Sequence, residues 1–313
     1  MAEDAPAPGR LLGLVSSAAS VVAPLSVLSA LLFYFGYASS RAQYEYFGLD
    51  VDTIGLSTQD YVMRSPQPLL MPLLVLTLLG ILVAATHTAI RRRIAVAVAD
   101  ADHKADDADD AGAAESRRRL VRIRRRGSGL VFAGGAALAG GVGLLFSYAV
   151  LREWAPYPLV TALLLALGAA LAAYGLRIQA LAGRRERFRG ADLLIYFLLA
   201  ASVFWATATL AQWSGRGSAE YAADHMDRLP SVILDTRERL FLTSPNVTET
   251  VLQRSSGQTF HYRYRRLRLL IQGRDRLFLV PESWSASNST LVVPTNDGSV
   301  RLQFQFQNVP PVT

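Results

Sequence analysis

Cysteine is absent from the 313 residues of this chain. That excludes disulfides, thiolate metal sites and cysteine nucleophiles, and it leaves the redox compartment open. Lysine occurs once, as Lys104, among 32 basic residues. A bias this strong toward arginine reflects a GC-rich genome more than a function. Charge is also nearly missing from the interiors of five long apolar runs, at residues 11–37, 69–90, 130–151, 157–176 and 191–213. Ion-coupled pumps carry titratable groups at such depths, because a moving proton or cation needs one, so that class is disfavoured. No P-loop, HExxH, nucleophile elbow or dinucleotide fingerprint occurs. Ser231, His225 and Asp224 occur as scattered residues rather than as a triad, which needs convergent geometry. The sequence therefore carries no catalytic signature and implies no cofactor and no metal.

What is present is apolar length. Each run matches the roughly 20 residues with which a helix crosses a hydrocarbon core about 30 Å thick. Hydrophobic residues make up 51% of the chain, and their concentration in five blocks points to lipid rather than to one large core. The first run differs from a signal peptide: Glu3 and Asp4 stand against Arg10 in its leading segment, the apolar stretch is too long, and no small-residue cleavage site ends it. It is expected to be a retained span.

The net charge of +7 is not that of a nucleic-acid binder, because the arginines cluster beside the spans. Residues 91–93, 117–119, 124–126 and 184–185 are arginine blocks, all in the connectors 91–129 and 177–190. Retention of such loops on the cytoplasmic side places the N-terminus inside, the C-terminus outside and the protein in the plasma (inner) membrane of a bacterium, with the arginines on anionic headgroups. The alanine-rich 91–129 connector permits the flanking helices to continue into the cytoplasm, with its aspartate-rich centre solvated.

Several stretches carry finer expectations. Ser16, Ser20, Ser26 and Ser29 share the first span with Pro24. They fit a kinked, packed helix, or a polar stripe lining the pore of an oligomer. The connector 38–68 holds Tyr44, Tyr46, Phe47 and Tyr61, as an interfacial hairpin would. Within it Ser57 and Asp60 have the spacing of a capping box, while Asp50, Asp52 and Asp60 read as an acidic turn rather than a calcium loop. In the third and fourth spans Ala133, Ala137 and Gly141, and Ala162, Ala166 and Ala170, recur every four residues. Such small residues let backbones approach in lipid, so these two spans should form a tight antiparallel hairpin or a homo-oligomer interface.

Residues 214–313 differ in kind. After a candidate helix at 219–228, short β-like runs at 231–236, 239–243, 259–271, 275–280, 291–294 and 299–306 alternate with turn residues. In 259–271 the alternation slips, since Phe260, Tyr262 and Tyr264 have the opposite parity to Leu267, Leu269 and Ile271. A bulge near Arg265 and Arg266 would bring both sets to the core. A β-rich domain of this length suffices to fold alone, with modest stability. His261, Arg263, Arg265, Arg266 and Arg268 are the candidate ligand- or partner-binding residues, since guanidinium forks grip oxyanions in pairs. The polar outer face of an amphipathic strand accounts for them equally.

The stretch Tyr34-Phe35-Gly36-Tyr37, through Tyr46-Phe47-Gly48-Leu49-Asp50, to Leu56-Ser57-Thr58-Gln59-Asp60-Tyr61 resembles a pattern in uncharacterised actinobacterial multi-pass membrane proteins. The resemblance covers the first helical hairpin and implies no activity.

The sequence thus predicts an α-helical bundle of five spans over residues 1–213, followed by a small β-rich extracytoplasmic domain at 214–313. The expected function is that of a receptor, adaptor or scaffold whose exported domain binds a protein partner or a second copy. The rival readings are a subunit of an oligomeric channel and a membrane-embedded enzyme of envelope or lipid metabolism.

Overall fold

A computed structural model describes the backbone of residues 8–106, 110–181, 189–242, 244–253, 256–285, 287–296 and 298–305. Side chains are described for all of these except 8–21, 90, 93–95, 97–106, 110–120, 122–124, 126, 181 and 189. Helix dominates up to Asp224. The order is α1 (Pro8–Glu45), α2 (Val51–Ile54), α3 (Thr58–Arg64), α4 (Pro66–Asp106), α5 (Asp110–Phe146), α6 (Tyr148–Leu151), α7 (Tyr157–Leu181) and α8 (Arg189–Asp224). A 3-10 turn at Met226–Arg228 then leads into β1 (Ser231–Thr236), β2 (Thr248–Val251), β3 (Tyr262–Gln272), β4 (Arg276–Pro281), β5 (Leu291–Pro294) and β6 (Val300–Gln305).

Five of these helices are long and apolar enough to cross a membrane: Val22–Glu45, Pro66–Ala89, Gly127–Phe146, Tyr157–Ala180 and Gly190–Asp224. They fall on the five apolar runs. Helix also continues past the runs, as the alanine content of the basic connector suggested. α4 carries on through its arginines to Asp106, and α5 resumes at Asp110. Proline opens α4 at Pro66, where its missing N–H has no helical partner to lose.

The chain divides into two compact units, Leu70–Leu210 and Met1–Leu69 with Ala211–Thr313. In the first, α5 and α7 lie against each other backbone to backbone. A Cβ placed on Gly134 would meet Ala172 N at 2.6 Å and Gly168 O at 2.8 Å, and one on Gly175 would meet Gly127 O at 2.9 Å. Gly141 faces Leu165 in the same way, at 2.6 Å from its Cδ2. The small residues in contact on α5 therefore recur every seven positions, Gly127, Gly134 and Gly141. This is the spacing that keeps one seam of a helix facing its neighbour. The Tyr157 hydroxyl closes the hairpin by donating to Leu144 O at 2.8 Å.

The second unit holds an antiparallel sheet of strand order β5-β4-β3-β1-β6, with β2 also paired to β3. β3 is central because it is long enough to serve several partners: β1 on one edge, and β2 and then β4 along the other. The bulge expected near Arg265 and Arg266 is present. Val232 pairs with Leu267 while Leu234 pairs with Tyr264, and Arg266 takes a positive φ of 64°. A second irregularity falls between Leu269 and Ile271. It turns Ile271 to the opposite face from Leu267 and Leu269.

Both faces of the sheet are consequently buried. One carries Val232, Leu234, Tyr264, Leu267, Leu277 and Leu279, with Leu242 and Val247 packed on them. Residues 239–242 are not a strand, contrary to the β-like run expected at 239–243, whose last residue lies outside those described. This loop crosses the sheet as its cover, held where Leu240 N donates to the Tyr264 hydroxyl at 2.8 Å. On the opposite face Ile271 and Phe278 pack with Tyr44, Leu49, Val51, Ile54 and Tyr61. Beside them Val280 packs with Phe47, Ala219 and Met226.

The 38–68 connector thus supplies half of the sheet's second core. Its path is set by local chemistry. Ser57 and Asp60 form the expected capping box at the start of α3, and Gly48 and Gly55 turn the chain at φ 72° and 74°. Contact is close: a Cβ on Gly36 would lie 1.9 Å from Tyr61 O, and one on Gly215 would lie 2.0 Å from Ser39 O.

Candidate interaction surface of the sheet domain

The sequence-predicted arginines of β3 do not form one group. The bulge separates them. Arg263 stands directly opposite Asp235 of β1, and Arg301 of β6 stands directly opposite the same aspartate from the other side. Residues paired in this way share a sheet face. The Asp235 side chain is fully buried, whereas Arg263 and Arg301 retain 23% and 48% exposure. Arg263 donates from Nε and Nη2 to the two carboxylate oxygens at 2.8 and 3.1 Å. Arg301 donates from Nε and Nη2 to Oδ2 at 3.1 and 2.6 Å. Burial pushes this carboxyl up, but the hydrogen bonds and charges of Arg263 and Arg301 outweigh it and hold the group below the usual carboxylate range.

Arg266 and Arg268 belong to a second cluster. Arg266 Nε donates to Glu282 Oε2 at 2.9 Å, and Arg268 grips the other oxygen of Glu282 while donating to Leu229 O at 3.1 Å. Arg268 is itself buried, with its Nε unpartnered. Hydrogen bonds from Arg266 and then Arg268 hold Glu282 below its usual range. Arg265 is exposed and sits opposite Thr248 of β2, on the face of Arg263. His261 leads into β3, with its Nδ1 3.3 Å from Arg237 O.

One sheet face therefore presents Arg301 of β6 and Arg263 and Arg265 of β3, with Asp235 of the intervening β1 beneath the first two. The Phe260 ring lies 5.1 Å from the Arg301 guanidinium carbon. Asp235 and Arg301 were not singled out from the sequence, and Phe260 was expected in the core rather than beside a guanidinium. A lone aspartate in the apolar string of β1 was the available signal, but its partners are set by register.

The remaining candidates are placed as follows. Ser26 Oγ donates to Val22 O at 2.9 Å within its own helix. Ser26 and Ser29 are exposed, and the side chains of Ser16 and Ser20 lie outside those described. Gly141 and the fully buried Ala162 sit in the α5–α7 region. Ala137, Ala166 and Ala170 are half-buried, and Ala133 is exposed. Asp50 caps Asp52 N at 3.2 Å, Asp52 accepts from the Tyr37 hydroxyl at 3.2 Å, and Asp60 accepts from Ser57 N at 2.8 Å in the capping box of α3. Among the described residues no group of three His, Cys, Asp or Glu is placed to hold a metal. His225 stacks on Tyr221 and Ser231 Oγ donates to Gln305, so neither is engaged with Asp224 in a relay. Among the arginine blocks, Arg91, Arg92 and Arg125 are exposed.

Among the described residues the edges of the sheet are β5, β6 and the short β2, which pairs with β3 alone. β6 carries Phe304 at 58% exposure and β5 carries Val292 at 42%. No family model, no curated protein and no solved structure matches this chain.

Proposed function

We propose that this is a multi-pass plasma-membrane protein whose C-terminal sheet domain, held outside the cytoplasm, is a binding and assembly module. The observation that carries this reading is the mounting of an open-edged sheet on helix ends. Tyr44 in the last turn of α1 with Phe47 just beyond it, and Ala219 near the end of α8 with Met226 in the 3-10 turn that follows, lie inside the sheet's own cores. The sheet is therefore packed on the helix ends rather than tethered to them. Among the described residues no further strand pairs with the outer edges of β5 and β6, which carry the exposed side chains of Val292 and Phe304. Edge strands of this kind are templates for an added strand from a partner, whose backbone supplies affinity and whose side chains supply specificity. The excess of arginine in 91–129 and 177–190 supports a cytoplasmic location for those segments.

The test is photo-crosslinking in native membranes, with a photoreactive residue replacing Phe304 or Val292 in turn. Adducts with one polypeptide from either edge, absent when the probe replaces the buried Val280, are the expected result. No adduct from either edge in a folded protein would overturn the reading. Because the chain has no cysteine, Phe241→Cys, at an exposed position away from the arginine-bearing face, and Arg92→Cys also report sidedness. An impermeant maleimide should label the first in intact cells and spare the second.

A further inference from the structure

We infer that the uncovered part of the sheet face bearing Arg301, Arg263 and Arg265 docks on the phosphates of anionic lipid headgroups in the membrane that α1 crosses. The inference rests on the reading of α1 as a span with the sheet domain at its outer end.

Three observations carry it. The first is charge. On this face Asp235 is shared by two guanidiniums, and Arg265 has no carboxylate opposite it, only Thr248. The cationic excess is thus local to the face. The second is preparation. Both Arg263 and Arg301 spend Nε and Nη2 on Asp235, which leaves Nη1 of each for an outside oxyanion. A guanidinium already held in place loses little freedom when it grips a phosphate. The third is position. This is the same face on which Phe278 and Val280 receive Tyr44 and Phe47, and the apolar stretch Val22–Glu45 ends among those residues. A surface built onto the end of a span meets headgroups at high effective concentration, so weak individual contacts suffice.

Paired residues show what else the face offers. Thr250 stands opposite Arg263 and Thr248 opposite Arg265, and Gln303 stands beside Arg301 on β6 opposite Ile233. These are neutral hydrogen-bonding groups, and on this part of the face Asp235 is the carboxylate the pairing brings in. It is buried and doubly paired, so it repels little. Arg266 and Arg268 contribute less, because Glu282 holds both.

The test uses the full chain in nanodiscs of phosphatidylcholine alone or mixed with phosphatidylglycerol, with a spin label on Thr250→Cys. The expected result is a several-fold loss of accessibility to a water-soluble paramagnetic quencher in the anionic discs only, reversed by high salt. A label on Phe241→Cys, in the loop covering the other face, should not change. Each arginine near an anionic surface multiplies the docked population about fivefold, so Arg265→Gln with Arg301→Gln should abolish the protection. Arg263 still neutralises Asp235 in that variant, and its thermal transition reports whether the fold is kept. Equal Thr250 accessibility in the two discs, or protection that survives the double substitution, would sink the inference. So would protection seen only on adding dextran sulfate to neutral discs, which would assign an acidic polymer instead. Phe304 adducts obtained alongside an unchanged Thr250 label would remove headgroup docking while leaving the binding module standing.

Discussion

Asp235 is the residue on which most of the sheet's polar order turns. A buried carboxylate between two arginines is costly to desolvate, and removing it leaves the guanidiniums without their partner. Deleting one partner of a fully buried pair costs roughly 3–5 kcal/mol. Here both arginines reach solvent and can relax, so Asp235→Asn should cost about 2 kcal/mol, read as a lowered thermal transition at neutral pH. The pH dependence follows from the same cluster. The folded carboxyl sits below its unfolded value of about 3.9. Its contribution is therefore complete above that value and is lost as pH falls through the lower, folded one. Glu282 is depressed by Arg266 and Arg268 and behaves alike. Stability should fall as pH drops below about 4, and Asp235→Asn with Glu282→Gln should flatten that fall. A double variant as acid-sensitive as the parent would assign the effect elsewhere.

Elements show where pattern reading succeeds and where packing overrides it. The positions of the five long apolar helices, the α3 capping box and the β3 bulge were legible because each is decided by neighbours in the chain. By contrast, α8 runs on to Asp224 through most of the separate helix expected at 219–228. A capping serine holds its own first turn, so Ser57→Ala should cost about 1 kcal/mol. The α5–α7 seam was only partly legible. Small residues on α5 occur at several phases, and the sequence does not say which phase meets α7. Structure selects Gly127, Gly134 and Gly141, whereas Gly135 and Gly143 have nothing within 4 Å of a Cβ. Gly134→Leu should therefore separate the hairpin and lower its thermal transition, while Gly135→Leu should leave both unchanged. Crosslinking between cysteines placed on α5 and α7 would read this directly, and equal effects of the two substitutions would contradict the seam. The 239–242 loop is the opposite case. Its apolar, β-favouring residues suit a strand, yet Leu242 is used to cover a core and Tyr264 captures the Leu240 N–H.

At the scale of the molecule, the sheet depends on chain that precedes α4. Ile271 and Phe278 find their partners in Tyr44–Tyr61, and Val280 finds its own in Phe47, Ala219 and Met226. Thr290 Oγ1 adds a hydrogen bond to Phe47 O at 2.8 Å. A fragment of residues 214–313 would expose that apolar face to water. It should bind an environment-sensitive dye and unfold without a cooperative transition, and fusion to residues 38–65 should restore both. A sharp transition in the fragment alone would show that the second core is dispensable. The same dependence joins the sheet to the end of α1.

Five helices long and apolar enough to cross a membrane, their arginine-marked connectors and the β character of the tail were determined by the sequence alone. Each follows from local composition against a solvent boundary: apolar length for lipid, charge for its edge, alternation for a half-buried strand. Tertiary structure alone decided which arginines compete for Asp235, which glycines face α7, and that a connector between two spans completes the sheet. Those outcomes depend on register and on close approach between residues distant in the chain, where a shift of one position exchanges the two faces of a strand.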